Sequence, residues 1–237
     1  MKKAVVLLSG GLDSTTVLYW AKKRRYQIFP LAFDYGQRHG KKELRAARKI
    51  ARLNELNLKV IRISLPWKGS SLIDKSCPLP QVFSEKDIGG SIPSTYVPGR
   101  NLIFLAFAFS YAESVNASLV LIGANSVDFS GYPDCRPQFY RLLNRLAQIG
   151  TRAGCEGQRI QVITPLIYLS KANIVRLGKK LKVPSRFTWS CYAGKKKPCG
   201  KCDSCLLRSR GFAEAGIADP LIKLGSRRPA YAKVTAR

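Results

Sequence analysis

The sequence predicts an α/β protein: a parallel five-stranded sheet with helices on both faces, followed by a small cysteine-bearing helical subdomain. Three observations lead there. Apolar runs of strand length alternate with longer segments of helical periodicity, the order that builds parallel sheets. The 237 residues, 46% hydrophobic and 23% charged, suit one large or two small globular domains and exclude a disordered or collagen-like chain. Four of the seven cysteines crowd into residues 191–205, which is metal spacing more than disulfide spacing.

Ala4–Leu8 is a buried-strand run of β-branched and apolar residues. Leu12–Lys23 follows with helical spacing through Leu12, Val17, Leu18 and Ala21. Ile28–Phe33 is a second strand, and Lys41–Asn54 a helix with Leu44, Ala47, Ile50 and Ala51 on one face. Leu58–Ile63 is a third strand, Arg100–Val115 an apolar helix and Ser118–Ile122 a fourth strand. Arg136–Ile149 is an amphipathic helix and Ile160–Ile163 a fifth strand. Residues 64–99 carry five prolines and a Gly89-Gly90 pair, a length of loop that marks function or disorder inside a compact domain. The division expected is 1–185 for the α/β domain, 186–220 for the cysteine-bearing subdomain and 221–237 for a basic tail.

Lys and Arg number 41 against 14 Asp and Glu, a formal charge of +27. That excess points to an anionic partner, whether nucleic acid, nucleotide or acidic small molecule. The longest apolar runs, such as Ile103–Phe109, fall far short of the ~18 residues of a membrane span. Near the N-terminus the Ala4–Leu8 run is too short for a signal h-region. No membrane association is expected, and the reading is cytoplasmic.

The segment Ser9-Gly-Gly-Leu-Asp-Ser-Thr15 joins the first strand to the first helix. Its glycines let the backbone approach a ligand, and the helix N-terminus behind them favours an anion. Asp13 repels phosphate unless it caps the helix or holds a magnesium ion. Neither G-x-x-x-x-G-K-[ST] nor G-x-G-x-x-G occurs, so the two commonest phosphate fingerprints are excluded.

SGGLDST resembles the pyrophosphate loop of the N-type ATP pyrophosphatases, which split ATP into AMP and pyrophosphate and place AMP on a carbonyl or carboxyl oxygen. Further segments narrow the resemblance: Tyr35-Gly-Gln-Arg-His39, Val97-Pro-Gly-Arg-Asn101, Gly123-Ala-Asn-Ser-Val-Asp128, Gly131-Tyr-Pro-Asp-Cys-Arg-Pro137, Thr164-Pro-Leu166 with Leu169-Ser-Lys171, and Thr188-Trp-Ser-Cys191. Together they are similar to the 7-cyano-7-deazaguanine synthase family, the nitrile-forming enzymes of queuosine biosynthesis, as far as about Pro220. The resemblance implies an adenine nucleotide alpha hydrolase-like fold and a C–N ligase. Its substrates would be ATP with Mg2+, ammonia and 7-carboxy-7-deazaguanine.

Carried onto this chain, the resemblance implies nucleotide contacts along Leu8, Ser9, Gly10, Gly11, Leu12, Asp13, Ser14, Thr15, Thr16, Val17 and Leu18, with Arg38, His39 and Arg100. It implies catalytic roles for Asp13, Ser14 and Lys171. The deazaguanine would meet Asn125, Asp128, Tyr132, Asp134 and Arg136. The residues read the same way: Arg100, Arg136 and Lys171 bring positive charge suited to phosphates or a carboxylate, and Asp128 and Asp134 bring acceptors for a guanine-like base. His39, the single histidine, could contact phosphate or serve structure. Cys135 lies in the segment expected to meet the substrate and is weak evidence for a nucleophile; Cys77 and Cys155 have no named partner.

Cys191, Cys199, Cys202 and Cys205 follow one another at C-x7-C-x2-C-x2-C. Four thiolates with C-x2-C steps suit a closed, structural tetrahedral zinc site, one per subunit; an iron–sulfur cluster is the rival. A homodimer is expected, and direct nucleic-acid binding is not. Two alternatives stand beside the main reading: a pyrophosphatase acting directly on tRNA, and a zinc-stabilised nucleic-acid-binding module without catalysis.

Overall fold

A computed structural model of the chain describes residues 1–81, 92–126 and 131–221. Asp128 and the basic stretch after residue 221 therefore lie outside the described residues. The elements, in chain order, are β1 (Lys3–Leu7), α1 (Leu12–Lys23), β2 (Gln27–Asp34), α2 (Gly40–Leu53), β3 (Lys59–Arg62), α3 (Arg100–Ser114), β4 (Leu119–Leu121), α4 (Pro137–Gly150), α5 (Arg152–Cys155), β5 (Gln161–Ile163), α6 (Lys171–Lys180) and α7 (Asp203–Glu214). All five strands are parallel, in the order β3-β2-β1-β4-β5. The α/β expectation holds, and the strand and helix bounds agree within two residues.

The order reverses at β1. The chain leaves β1 towards β2 and β3, then crosses back to β4 and β5 on the other side. At such a switch point the loops after two neighbouring strands diverge and open a crevice at their carboxyl ends. Here those loops are Ser9–Gly11 after β1 and Ile122–Ser126 after β4.

Alternate residues of β1 face opposite layers, as strand geometry requires. Val5 and Leu7 pack with Leu105, Phe109, Leu143 and Ala147 of α3 and α4. Ala4 and Val6 pack with Val17, Leu18, Ile50 and Val175 of α1, α2 and α6. β2 carries Pro30 at a position paired with Val6 of β1. Pairing with β3 begins only at Leu31, so Pro30 sits where β2 is flanked on one side alone.

α6 and α7 complete the second layer; α7 falls in the helical subdomain expected over 186–220, whereas α6 was not foreseen. α6 is capped by Ser170, whose Oγ accepts from Asn173 N–H, and ends in Lys179 and Lys180 beside its carbonyl end, a charge placement that favours a helix. Gly211 lets α7 lie close on the start of α6, since a Cβ there would stand 2.8 Å from Lys171 Cβ. Phe212 of α7 is buried in the same cluster as Leu166, Ile174 and Val175. The cysteine-bearing segment thus shares the core of the α/β unit.

Candidate functional site

The carboxyl edge of the sheet opens into a cavity of about 270 Å³. One wall is the turn after β1. Gly10 has φ +84, and a Cβ there would lie 2.5 Å from Ala47 N of α2, so only glycine fits. Gly123, after β4, also approaches Ser14 N closely, at 3.0 Å from a Cβ position. Gly11 is the N-cap of α1 and gives no side-chain cap, which leaves the first-turn N–H groups without an intrahelical or capping partner. Ser9 Oγ and Ser14 Oγ share a hydrogen bond of 3.0 Å. Leu8, Ser9, Gly11, Leu12, Asp13 and Ser14 line the cavity. Thr15, Thr16, Val17 and Leu18 are fully buried inside α1; the Thr16 hydroxyl donates to Leu12 O at 2.8 Å.

Asp13 does not cap α1. Its Oδ2 accepts from Lys171 Nζ at 2.5 Å and from Asn125 Nδ2 at 3.2 Å, while Oδ1 is buried with no hydrogen-bond partner. The three residues come from α1, α6 and the loop after β4, so the sheet edge assembles what the sequence scatters.

The opposite wall is the start of α3. Arg100 is half-buried, bonds Tyr35 Oη at 3.4 Å, and has no carboxylate within ion-pair distance among the described residues. Burial alone would lower its pKa, but Tyr35 and the nearby Tyr132 and Cys135 outweigh that and hold the guanidinium firmly charged. Burial pushes the Tyr35 phenol up, with Arg100 opposing. Tyr132 lines this wall and shares a hydrogen bond of 2.8 Å with Thr95 Oγ1.

Between the walls lie His39 and Glu43. His39 is 4% exposed, its Nε2 stands 3.4 Å from Glu43 Oε2, and its Nδ1 is buried without a partner. Gln37 Nε2 also donates to Glu43 Oε2, at 2.9 Å. Burial pushes the Glu43 carboxyl up, but the His39 charge and the hydrogen bonds from His39 and Gln37 prevail and hold it below the ordinary range. Trp189, Ser190, Tyr192 and Arg208 close the cavity from the cysteine-bearing side. Trp189 N–H donates to Gly10 O at 2.9 Å, tying that segment to the glycine turn. Arg208 is held by Asp219 through two hydrogen bonds of 2.7 and 2.9 Å and donates to Thr188 Oγ1 at 2.8 Å.

Other expected residues lie elsewhere. Arg38 donates to the carbonyls of Asp74 and Cys77 and so fastens the long loop to the sheet edge instead of lining the cavity. Asp134 is buried, and its Oδ2 accepts from Asn101 N–H in the first turn of α3 at 3.0 Å; a carboxylate there offsets the helix dipole. Arg136 is exposed at the N-cap of α4. Tyr35, Glu43, Asn101, Phe104, Trp189 and Arg208 were not foreseen as part of this site. Glu43 carried one faint signal, as the lone acid of the strongly basic α2.

The sulfurs of Cys191, Cys199, Cys202 and Cys205 all lie within 4.8 Å of one another. Cys199 and Cys205 are 3.9 Å apart, close to the ~3.8 Å edge of a tetrahedron with metal–sulfur bonds of about 2.3 Å. Crowding splits their acidities. Hydrogen bonds from Cys202 and Cys205 hold Cys191 low, and the bond to Cys191 pushes Cys202 up to about 12. Four such thiols ionise together only around a cation, so the donor set fits a metal.

A family model described as queuosine biosynthesis protein QueC matches residues 3–216. The 7-cyano-7-deazaguanine synthase of Picrophilus torridus is 53% identical over 221 residues, 93% of this chain and 91% of that protein. The synthase of Trichodesmium erythraeum is 50% identical over 222 residues, covering 93% of this chain and 100% of that protein. The synthase of Thermoplasma volcanium is 47% identical, covering 93% and 90%.

Proposed function

The chain belongs to the queuosine biosynthesis protein QueC family, and from that premise we propose that its cavity makes 7-cyano-7-deazaguanine from 7-carboxy-7-deazaguanine, ammonia and two molecules of ATP. A carboxylate is a poor electrophile, so each oxygen must leave as something better than hydroxide. The first ATP converts the acid to an acyl-adenylate and ammonia displaces AMP to give the amide. The second activates the amide oxygen, and loss of AMP with two N–H protons leaves the nitrile.

The observation that carries this reading is the pairing, within one cavity, of the glycine turn before α1 with the Arg100 guanidinium, which lacks an acidic partner among the described residues. The open N–H groups of α1, with Ser9 and Ser14, receive the departing pyrophosphate. Lys171, steered by Asp13 and Asn125, offsets charge as that group leaves. Arg100 holds the substrate carboxylate and then the phosphate of the adenylate. Magnesium, bound with ATP, supplies further charge neutralisation; the partnerless Asp13 Oδ1 and the Ser14 hydroxyl fit it. Tyr35, Phe104 and Trp189 exclude water from the adenylates.

The test is incubation with ATP, magnesium, ammonium and either 7-carboxy-7-deazaguanine or bulk tRNA. Two AMP and two pyrophosphate per nitrile with the free base supports the reading; AMP release with tRNA alone overturns it.

One zinc per chain, held by the four cysteines, would fix Trp189 and Ser190 against the glycine turn and take no part in the reaction. A single ion accounts for sulfurs this close, whereas a cubane spreads its thiolates over four irons. Elemental analysis finding iron and acid-labile sulfide would reverse this. Reduced thiolates imply a reducing compartment, which fits the cytoplasm. A homodimer would cover the apolar stripe of α4, where Leu142, Leu146 and Ile149 are 57%, 54% and 76% exposed; Leu146→Glu then yields a monomer by light scattering.

A further inference from the structure

Part of the +27 charge is arranged as a regular stripe. α2 exposes Lys41, Arg45, Arg48 and Arg52, at positions i, i+4, i+7 and i+11. That spacing keeps all four on one helical face. The opposite face of α2, with Leu44, Ala47, Ile50 and Ala51, is buried against the sheet. The single acid of α2, Glu43, turns into the cavity.

The neighbouring helices of the same layer extend the surface. α1 ends in exposed Lys22 and Lys23, and Lys22 reaches Asn54 at the end of α2. α6 ends in exposed Lys179 and Lys180. None of these three helices exposes an acid. On the α3–α4 layer across the sheet, exposed Arg141 and Arg145 of α4 alternate with exposed Leu142, Leu146 and Ile149, so its cations share their face with apolar side chains.

We propose that the α1–α2–α6 face is a docking surface for the phosphate backbone of a double-stranded nucleic acid, separate from the synthase cavity. The α2 stripe is about 16 Å long at 1.5 Å per residue. A duplex carries about one charge per 1.7 Å of its axis, so this length faces roughly nine phosphates. A lipid surface fits less well, because interfacial helices place a row of apolar side chains beside their cations, and here Leu53 is the one large apolar side chain that α2 exposes, while Leu44 and Ile50 are buried. An acidic peptide offers no comparable density of charge. The contact is to backbone and carries no sequence preference.

The test uses a fluorescein-labelled 20-base-pair RNA duplex, titrated by anisotropy with the full chain from 50 to 300 mM salt. The expected result is binding whose log–log salt slope is about −4 or steeper. In K41Q/R45Q/R48Q/R52Q the slope should flatten by about 3 to 4, since each lost phosphate contact removes about 0.9. Affinity at 100 mM salt should fall about 100-fold while nitrile formation stays within about twofold of the parent. K179Q/K180Q gives a smaller shift in the same direction and serves if the fourfold variant folds poorly. The proposal is overturned by no binding at 50 mM salt, by equal binding of the fourfold variant, by tighter binding to phosphatidylserine vesicles than to the duplex, or by displacement of the duplex by polyglutamate at equal charge.

Discussion

Two turns at the same sheet edge carry conspicuous motifs, and the structure uses them differently. In Ser9–Thr15 Gly11, the side chains of Ser9 and Ser14, and the uncapped start of α1 all face the cavity, while Gly10 packs against α2. In Tyr132–Pro137 only Tyr132 and Cys135 reach it. There the aspartate serves another helix, through Asn101 N–H, and the arginine is exposed. The first motif is complete in itself, because a glycine turn running into a helix makes its own anion site. The second is an assembly joint: its polar groups anchor α3, and α3 in turn presents Arg100.

Asp13→Ala should have the largest effect on chemistry, lowering AMP release by about 100- to 1000-fold, the loss typical of one preorganised charge group. Its melting temperature should change little, since the ion pair with Lys171 is partly exposed and such pairs are worth about 1 kcal/mol or less. Full turnover with a lowered melting temperature would break the contrast between the two turns.

Cys199→Ser comes next. Loss of a metal ligand should cost about 3 kcal/mol or more, and proteolysis should attack residues 186–220 before the sheet. If the sheet opened at the same protease concentration, this segment and the α/β core would be one cooperative unit.

Asp134→Ala sharpens the comparison directly. Removing a carboxylate from the first turn of a helix costs about 1–2 kcal/mol, or about 2–8 °C at this chain length. Asn101 N–H would lose its acceptor, and Arg100 would be less well placed, so the Michaelis constant for the deazaguanine should rise more than that for ATP. An unchanged melting temperature with a raised constant for the base would return Asp134 to direct contact with it.

Glu43 gives a pH signature. Its carboxyl is held below the ordinary 4.5, so the stability it contributes is fully present above that value. It is lost as pH falls through the lowered folded value. In Glu43→Gln this part of the acid-side slope should vanish from thermal melts. Arg136→Ala should matter least, within about 0.5 kcal/mol in stability, as an exposed site without buried contacts, and within about threefold in turnover.

The strands were legible because parallel strands covered on both faces read as apolar runs, as Ala4–Leu8 does. Leu12–Leu18 was legible as a stretch but not residue by residue. Leu12, Asp13 and Ser14 face the cavity while Val17 and Leu18 pack in the core; Asp13 and Val17, like Ser14 and Leu18, share a helical face, so the difference is set by position along the axis, the first turn lying at the sheet edge. α6 went unread because its apolar residues Ala172, Ile174 and Val175 are few, and its capping serine was masked by the motif reading of Leu169-Ser-Lys171. The contacts of Arg38 were not legible because its partners are backbone carbonyls of Asp74 and Cys77, which carry no sequence signature.

The sequence by itself determined the alternation of strands and helices, the glycine turn after β1 and the cysteine tetrad, since each rests on contacts between residues close in the chain. Tertiary structure alone decided which side chains share the cavity. Asp13 and Lys171 stand 158 positions apart, and Arg100 meets Tyr35 across 65; both meetings follow from the reversal of strand order at β1. It also decided that Asp134 anchors a helix and that four cations of α2 share its exposed face. Burial and distance choose a partner for a charged side chain, and neither is written in its neighbours along the chain.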